Sequence, residues 1–276
     1  MAMAISDGEF SKNYITLNYI AADNNQYIDT GIKGDATTSL SCIFKTGVTI
    51  KHGMTVYGCF TGWQQHNPNT ESLSLTLAGG AATNAGRLRM GSNEIGRVWI
   101  NAYYKAEVTP TGYYVFYATD NDVSETITGN WESPTTFSED WNGIEQTKET
   151  LLIGYNWCDH SDNENKYGAS GKNWRYAKFQ GLLGSFTIKK NNVIVRDFIP
   201  VARKTDLETG TPLEEANYIY GFYERIEGRF YRSISGTDFY SPNYNGWTPY
   251  EVSYNTAIDY NTYDPYVGLP GYPGNS

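Results

Sequence analysis

Residues 184–198 read GSFTIKKNNVIVRDF, and this stretch decides the fold. Apolar and polar residues alternate in its first half, and a second run rich in β-branched residues follows from Val193. Both patterns are typical of β-strands, in which successive side chains point to opposite faces. Asn191 and Asn192 separate the two runs, and asparagine tolerates the positive φ angles that a two-residue hairpin turn requires. The stretch therefore predicts a β-hairpin.

Strand patterns recur along the rest of the chain. Residues 72–77 alternate strictly and place Leu73, Leu75 and Leu77 on one face, and residues 113–117 form a continuous apolar run. The composition agrees, because the chain contains 24 Tyr and 28 Gly and only 18% of its residues are charged. Tyr favours sheets, and Gly favours turns. These features predict an all-β sandwich or barrel. The capping-box pattern of residues 211–214 allows one or two helical turns at most.

Charge and cysteine content exclude several kinds of protein. The 276 residues include 21 Lys and Arg against 30 Asp and Glu, a net charge of −9, so we expect no nucleic-acid partner. Three cysteines are too few and too widely spaced for a disulfide framework or a zinc site. The start has no basic region followed by an apolar run, and no stretch approaches the roughly 18 apolar residues of a membrane helix. We therefore expect synthesis in the cytoplasm and no membrane partner.

Several segments, taken in order, resemble a known family. The segments are residues 17–20, 26–32 (QYIDTGI), 184–189, 195–201 (VRDFIPV), 221–224, 228–231 and 235–239. Their order resembles the concanavalin A-like (LamG-type) jelly-roll domains of bacteriophage virion proteins and gut-bacterial surface proteins. The resemblance implies an antiparallel jelly-roll β-sandwich over residues 14–240, preceded by an N-terminal arm at 1–13. Residues 47–180 contain no motif of the family.

The family motifs have a structural interpretation. In a jelly roll the first and last strands pair, so the early and late motifs are expected to lie side by side. Ile28 and Ile32 are an even number of positions apart and can share the inward face of one strand. Asp29 points outward or accepts bonds from the following turn. Arg196 and Asp197 are expected to make polar contacts that fix a strand end. We therefore interpret both motifs as parts of the fold rather than of a site.

The end of the chain differs from the rest. From Tyr240 onward there are eight tyrosines, five prolines and no Lys or Arg. Proline at this density breaks sheets and helices, whereas a purely disordered tail is normally poor in aromatics. We expect an extended C-terminal arm, residues 241–276, that lies on this or a neighbouring subunit; a last strand with a loose end is the alternative. The expected assembly contacts are Tyr244, Trp247, Tyr250, Tyr254, Tyr260, Tyr263 and Tyr266.

Catalytic patterns are missing from the sequence. A glycosidase on this kind of sandwich needs two carboxylates on one strand face at even or bulged spacing, and no such pattern occurs. The nearest acidic cluster, at residues 139–145, lies in a polar stretch without strand alternation. The three histidines lie in polar surroundings, and no glycine loop precedes a lysine and a helix. We therefore expect no catalytic residues and no enzymatic activity.

Two kinds of binding site are candidates in the polar middle of the chain. Oxygen-rich residues 159–164 favour a Ca²⁺ site, because Ca²⁺ takes six to eight oxygen ligands from flexible loops; its ligands would be Asp159, Asp162 and Glu164. Ordinary solvated turns are the alternative, and no other cofactor is expected. Tryptophans beside amides and carboxylates favour a glycan site at Trp141, Asn156, Trp157 and Asp159, whereas Trp99 has the pattern of a core residue.

The resemblance and the arm together predict a structural protein of a bacteriophage virion. We expect a surface-exposed capsid auxiliary, decoration or head-fibre component that is oligomeric and binds other virion proteins, capsid or fibre subunits. The lack of an export signal and the Tyr- and Pro-rich arm favour this location on the virion surface. The alternative is a glycan-binding adhesin or receptor-binding module, in a tail fibre or on a bacterial surface, with a host-surface glycan as ligand.

Overall fold

The alternating segments form the strands of two antiparallel sheets in a computed structural model of the chain. The structure describes residues 7–23, 25–47, 50, 54–60, 72–79, 85–90, 93–110, 112–118, 135–137, 150–155 and 178–247. In chain order the elements are α1 (Asp7–Asn13), β1 (Tyr14–Thr16), β2 (Ile20–Asp23), β3 (Ile28–Lys33), β4 (Thr38–Thr46), β5 (Met54–Phe60), β6 (Ser72–Gly79), β7 (Ala85–Met90), β8 (Asn93–Trp99), β9 (Tyr103–Thr109), β10 (Gly112–Ala118), β11 (Thr135–Phe137), β12 (Thr150–Ile153), β13 (Gln180–Lys190), β14 (Val193–Arg203), β15 (Ile219–Glu224) and β16 (Arg229–Tyr231).

The two sheets form a β-sandwich, which confirms the predicted all-β class. The ten-stranded sheet has the order β11-β10-β9-β4-β13-β14-β15-β16, with β1 paired to β14 and β2 paired to β13. The six-stranded sheet has the order β3-β12-β5-β6-β7-β8. Every pair is antiparallel, as expected for strands joined by turns and crossing loops. No helix within the described ranges is long and apolar enough to cross a membrane.

The hairpin predicted from residues 184–198 is confirmed. Strands β13 and β14 have 11 residues each and lie next to each other in the ten-stranded sheet. Lys190 pairs with Val193, and Asn191 and Asn192 form the turn with φ angles of 49° and 64°. Two successive positive φ angles define the turn type whose twist matches that of the flanking strands. The asparagine pair therefore sets the pairing next to the turn, and the register shifts once beyond it, between Ile188 and Lys189.

The two family motifs lie side by side but in different sheets. The early motif forms β3, which pairs with β12, while the late motif lies in β14 of the opposite sheet. Arg196 Nε donates to the Thr30 carbonyl oxygen at 3.3 Å and links the two strands. Ile28 is fully buried, Ile32 packs against the same core, and Asp29 Oδ1 accepts a bond from Gly31 N at 2.8 Å. The predicted structural roles of this motif are therefore confirmed.

The core lies between the sheets and is rich in aromatic rings. Its largest fully buried side chains include Phe44, Tyr57, Phe179, Phe186, Phe198, Phe222 and Phe239. Phe198 makes edge contacts with Phe222 and Tyr231 at centroid distances of 6.3 and 5.3 Å. Burial of one such ring contributes about 2–3 kcal/mol, so these residues dominate the cohesion of the sandwich. Leu75 and Leu77 are also fully buried, which confirms the alternation in β6.

Helical structure in the described residues is limited to two short segments, which agrees with the one or two helical turns allowed near residues 211–214. The capping-box segment forms no α-helix; a single 3-10 turn follows at Glu215–Asn217, and Glu214 makes no side-chain cap. Pro212 instead forms a bridge with Thr205, which holds this segment extended. Conversely, residues 7–13 of the predicted N-terminal arm form α1. Phe10 explains this helix, because its ring packs against Tyr14 and Tyr223 at 5.2 and 4.8 Å.

Candidate ligand-binding site

One end of the sandwich collects most of the accessible aromatic side chains described by the structure. Strands β2, β4, β8 and β12 finish there, and β3, β9 and β13 begin there. Backbone bonds tie these strand ends together: Gly47 N donates to Gln180 O at 3.2 Å, and Phe179 N donates to Gly154 O at 2.9 Å. We name this region the aromatic end and define it by Tyr27, Trp99, Tyr155, Tyr240, Tyr244 and Trp247.

A lysine lies against two tyrosine rings in the first half of the aromatic end. The rings of Tyr27 and Tyr155 are 5.2 Å apart and inclined by 49°. Lys178 Nζ lies 5.2 Å from the Tyr27 centroid and 5.6 Å from the Tyr155 centroid. All three side chains are half-buried. A cation over an aromatic face contributes about 0.5–1 kcal/mol at accessible sites, so the group has a preferred geometry.

A glycine allows this tyrosine pair to form. Gly154 has a φ of +86°, and a Cβ atom at this position would lie 2.8 Å from the Gln26 carbonyl oxygen. A side chain therefore meets both an unfavourable backbone region and a clash with the backbone of Gln26, in the loop between β2 and β3. Only glycine lets the end of β12 approach so closely, and this approach places Tyr155 beside Tyr27.

The second half of the aromatic end is a stack formed by the start of the C-terminal arm. Tyr240 and Tyr244 stack at 4.1 Å with an interplanar angle of 12°, and Trp247 meets Tyr244 edge-on at 5.1 Å. Tyr244 Oη donates to Asp23 Oδ2 at 2.9 Å. Burial, together with the bond to and the negative charge of Asp23, raises the pKa of Tyr244 to about 12. The hydroxyl is thus a neutral donor at physiological pH.

A polar network joins the two halves. Asp23 Oδ1 accepts a bond from Gln180 Nε2 at 3.0 Å, and the backbone N–H of Asp23 donates to Gln26 Oε1 at 2.8 Å. Gln26 is fully buried, and its Nε2 donates to the Asp238 carbonyl oxygen at 3.1 Å. A buried amide that satisfies both its donor and its acceptor fixes the surrounding backbone. The network therefore holds Tyr27 and the arm in one arrangement.

The residues predicted for glycan and calcium binding lie outside the described residues. This holds for Trp141, Asn156, Trp157, Asp159, Asp162 and Glu164. In the sequence, most of them fall between Tyr155 and Lys178, and these two described residues both lie at the aromatic end. Within the described part of the chain, no group of three His, Cys, Asp or Glu residues is placed to hold a metal ion.

Sequence reasoning missed several residues of this end. Trp99 was expected in the core, but its side chain is 45% exposed, because it is the last residue of β8 and points away from the packed layer. The sequence analysis interprets Tyr27 as part of a fold motif, and no sequence pattern marks Lys178 as a binding residue. The predicted contacts Tyr244 and Trp247 do lie at the aromatic end. The remaining predicted arm contacts, Tyr250, Tyr254, Tyr260, Tyr263 and Tyr266, lie outside the described residues.

Comparisons with known proteins give two bacteriophage structures. No protein-family model and no curated protein matches the chain. Full-length tailspike protein 2 of an Escherichia coli O157:H7 bacteriophage is 10% identical with a TM-score of 0.36, over 68% of this chain and 22% of the tailspike. The enzymatically active domain of tailspike protein 2 of bacteriophage CBA120 is 9% identical with a TM-score of 0.39, over 69% of this chain and 27% of the other.

These matches bear on two expectations, the absence of enzymatic activity and the concanavalin A-like topology. The expectation that the chain is not an enzyme is contradicted, because one matched chain is an enzymatically active domain, and we withdraw it. The TM-scores lie below 0.5, so neither match defines a site in this chain. The strand pairing confirms the antiparallel β-sandwich, whereas neither comparison specifies a concanavalin A-like or LamG-type topology.

Proposed function

We propose that this chain is a carbohydrate-binding module of a bacteriophage attachment protein, exposed on the virion. The observation that carries the proposal is the group formed by Tyr27, Tyr155 and Lys178. The C–H face of a sugar ring packs on an aromatic ring, while its hydroxyl groups need donors and acceptors nearby. The half-buried rings of Tyr27 and Tyr155 supply the aromatic surface for this packing, and the ammonium group of Lys178 supplies hydrogen-bond donors.

The surroundings of this group support the same function. The network through Asp23 and Gln26 holds the rings before a ligand arrives. Preorganisation improves affinity, because less side-chain freedom is lost on binding. The assignment to a bacteriophage virion is supported by the resemblance of the ordered sequence motifs to virion jelly-roll domains.

A glycan array with the full chain tests this proposal, followed by calorimetric titration of the best polysaccharide. Tyr27→Ala and Lys178→Met should each weaken binding by about tenfold or more. The matched controls are Tyr218→Ala and Lys12→Met, which change the same residue types away from the aromatic end and should bind normally. Lys178→Met keeps the side-chain length, so lost binding by a folded Lys178→Met variant separates recognition from stability. Failure to bind any host-surface polysaccharide contradicts the proposal.

A role in virion assembly is the second candidate, favoured by the Tyr240, Tyr244 and Trp247 stack. Aromatic rings give large contact areas at low entropy cost and are frequent anchors at interfaces. In this second proposal, residues 248–276, which follow the stack in the sequence, bind a capsid or fibre subunit. A chain that ends at Trp247 should then fold normally but fail to enter particles. Normal incorporation of this shortened chain rejects the assembly role.

A further inference from the structure

A cleft lies on the outer face of the ten-stranded sheet, away from the aromatic end. Its volume is about 280 Å³, and it is lined by side chains of β4, β9, β13 and β14. Leu40, Val108 and Ile188 point into the core and are at most 2% exposed. Because side chains alternate along a strand, the residues between and beside them face outward. We name this cleft the outer groove and define it by Ser39, Ser41, Glu107, Thr187, Lys189 and Ile194.

Strand register places polar groups of the outer groove in two rows. Ser41 pairs with Glu107 on one side and with Thr187 on the other, and Ser39 pairs with Lys189. Neighbouring strands are about 4.8 Å apart, and residues two apart along a strand are separated by about 7 Å. The rows therefore outline a patch of roughly 10 by 7 Å. One sugar ring with its substituents has these dimensions, whereas an extended peptide needs more length.

The charges of the outer groove are matched except at one residue. Lys105 Nζ lies 2.7 Å from Glu107 Oε1, and Lys190 pairs with Asp35. Thr187 Oγ1 donates to Asp197 Oδ1 at 3.4 Å, and Asp197 in turn pairs with Arg225. Lys189 is exposed and has no acidic partner among the residues that the structure describes. Lys189 therefore offers the groove a cation without a described acidic partner, on a protein whose total charge is −9.

Two hydroxyl groups in the groove are also available. Ser39 is only 8% exposed, and neither Ser39 nor Ser41 has a side-chain bond to another described residue. A hydroxyl group in a cleft that has no protein partner contributes favourable binding free energy when a ligand supplies the missing hydrogen bond. Ile194 is 43% exposed and adds an apolar wall. One cation, two hydroxyls and an apolar wall match a ligand that combines a carboxylate, hydroxyls and a C–H surface.

We propose that the outer groove binds an acidic sugar, the carboxylated unit of an anionic glycan. The carboxylate pairs with Lys189 Nζ, the ring hydroxyls bond Ser39 and Ser41, and the C–H surface packs on Ile194. This site is independent of the aromatic end. Ser39 and Thr46 are seven residues apart along β4, about 23 Å, so one sugar unit cannot contact both. The proposal thus adds a ligand class and a site to the chain.

Titration of the isotope-labelled full chain with glucuronate, glucose and acetate, followed by NMR, tests the proposal. Glucuronate should shift the amide signals of Ser39, Ser41 and Lys189, with an affinity about tenfold above that of glucose or acetate. Lys189→Met and the double variant Ser39→Ala/Ser41→Ala should each remove most of this difference. Lys12→Met changes an exposed lysine elsewhere and should leave the titration unchanged.

The same titration separates this proposal from the one for the aromatic end. Tyr27→Ala should bind glucuronate normally. Loss of glucuronate binding in Tyr27→Ala, with full binding in Lys189→Met, assigns the ligand to the aromatic end and overturns the outer-groove site. Equal affinity for glucuronate and acetate also overturns the proposal, because it reduces the site to a single charge. Equal affinity for glucuronate and glucose rejects the acidic ligand class.

Discussion

A single carboxylate organises the turn between β3 and β4. Asp35 Oδ1 accepts bonds from Thr37 N at 2.9 Å, Thr37 Oγ1 at 2.6 Å and Thr38 Oγ1 at 3.1 Å, and Lys190 Nζ lies 2.5 Å from Oδ2. Burial opposes ionisation of this group, but the bonds from Lys190 and Thr37 outweigh burial and lower the pKa of Asp35 to about 2. The turn is therefore stabilised by the charged form.

Replacing this carboxylate should make stability less dependent on pH. The pKa of Asp35 is lower in the folded chain than its usual unfolded value near 3.9, so its contribution is present above about pH 4 and is lost as pH falls to about 2. Asp35→Asn should lower the free energy of unfolding by about 1–2 kcal/mol at pH 7. Urea denaturation of both proteins at pH 7 and pH 2 measures this; a deficit of the same size at both pH values contradicts it.

Backbone geometry at Gly154 gives a second prediction at this scale. Gly154→Ala adds the strain of a positive φ, about 1–2 kcal/mol, to a 2.8 Å approach to the Gln26 carbonyl oxygen. Gly210→Ala is the matched control, because Gly210 has a φ of +67° but no atom within 4 Å of an added Cβ. Urea denaturation should show a loss of about 1 kcal/mol for Gly210→Ala and at least twice that for Gly154→Ala. Equal losses show that the contact with Gln26 is unimportant.

At the scale of elements, the β13–β14 turn is the feature that the sequence predicts best. Asn191 and Asn192 both adopt positive φ, and the flanking residues Lys190 and Val193 pair directly. Asn192→Gly should change the free energy of unfolding by less than about 0.5 kcal/mol, because glycine adopts positive φ without strain. Asn192→Ala should lower it by about 1 kcal/mol, because alanine is strained at positive φ. Chemical denaturation measures both. Equal stability of the two variants contradicts the assigned role of the turn.

Local patterns predict strands well and short helices poorly in this chain. Alternation and turn residues carry the information for a strand, so residues 72–77 and 184–198 were assigned correctly. Helix α1 has only seven residues, too few to form alone. Contacts with distant residues hold it instead: Phe10 packs on Tyr223, and Lys204 Nζ donates to Ser11 O at 2.7 Å. Such contacts are not visible in a local sequence window.

The candidate sites depend on the whole molecule. Tyr27, Tyr155 and Lys178 are far apart in the chain and meet only because three strand ends converge at the aromatic end. The sequence predicts a glycan site that includes Asn156, Trp157 and Asp159, which lie outside the described residues, but it gives no indication of Tyr27 or Lys178. The outer groove is similar, since its lining becomes visible only when the register of four strands is known. Composition and periodicity predict that the chain forms packed sheets. The residues that meet at a site can be identified only when the register of the paired strands is known.

The extent of the folded body is a property of the whole molecule, and truncation tests it. Removing residues 248–276 should leave the free energy of unfolding within about 0.5 kcal/mol of the full chain, because the described contacts of the arm end at Trp247. Removing residues 241–276 deletes the ring stacked on Tyr240 and the bond to Asp23, and should cost about 1–3 kcal/mol more.

A variant of the chain that ends at Trp247 separates the contribution of the aromatic stack from that of the hydrogen bond to Asp23. Tyr244→Phe keeps the stacked ring but loses the hydrogen bond to Asp23, so it should account for about 1 kcal/mol of the total. Thermal and urea denaturation of the three lengths and of this variant measure the effects. If the chains that end at 240 and 247 are equally stable, the stack does not belong to the folded body, and the arm begins at residue 241. If they differ as expected, the body extends to Trp247, and only residues 248–276 remain available to reach a partner.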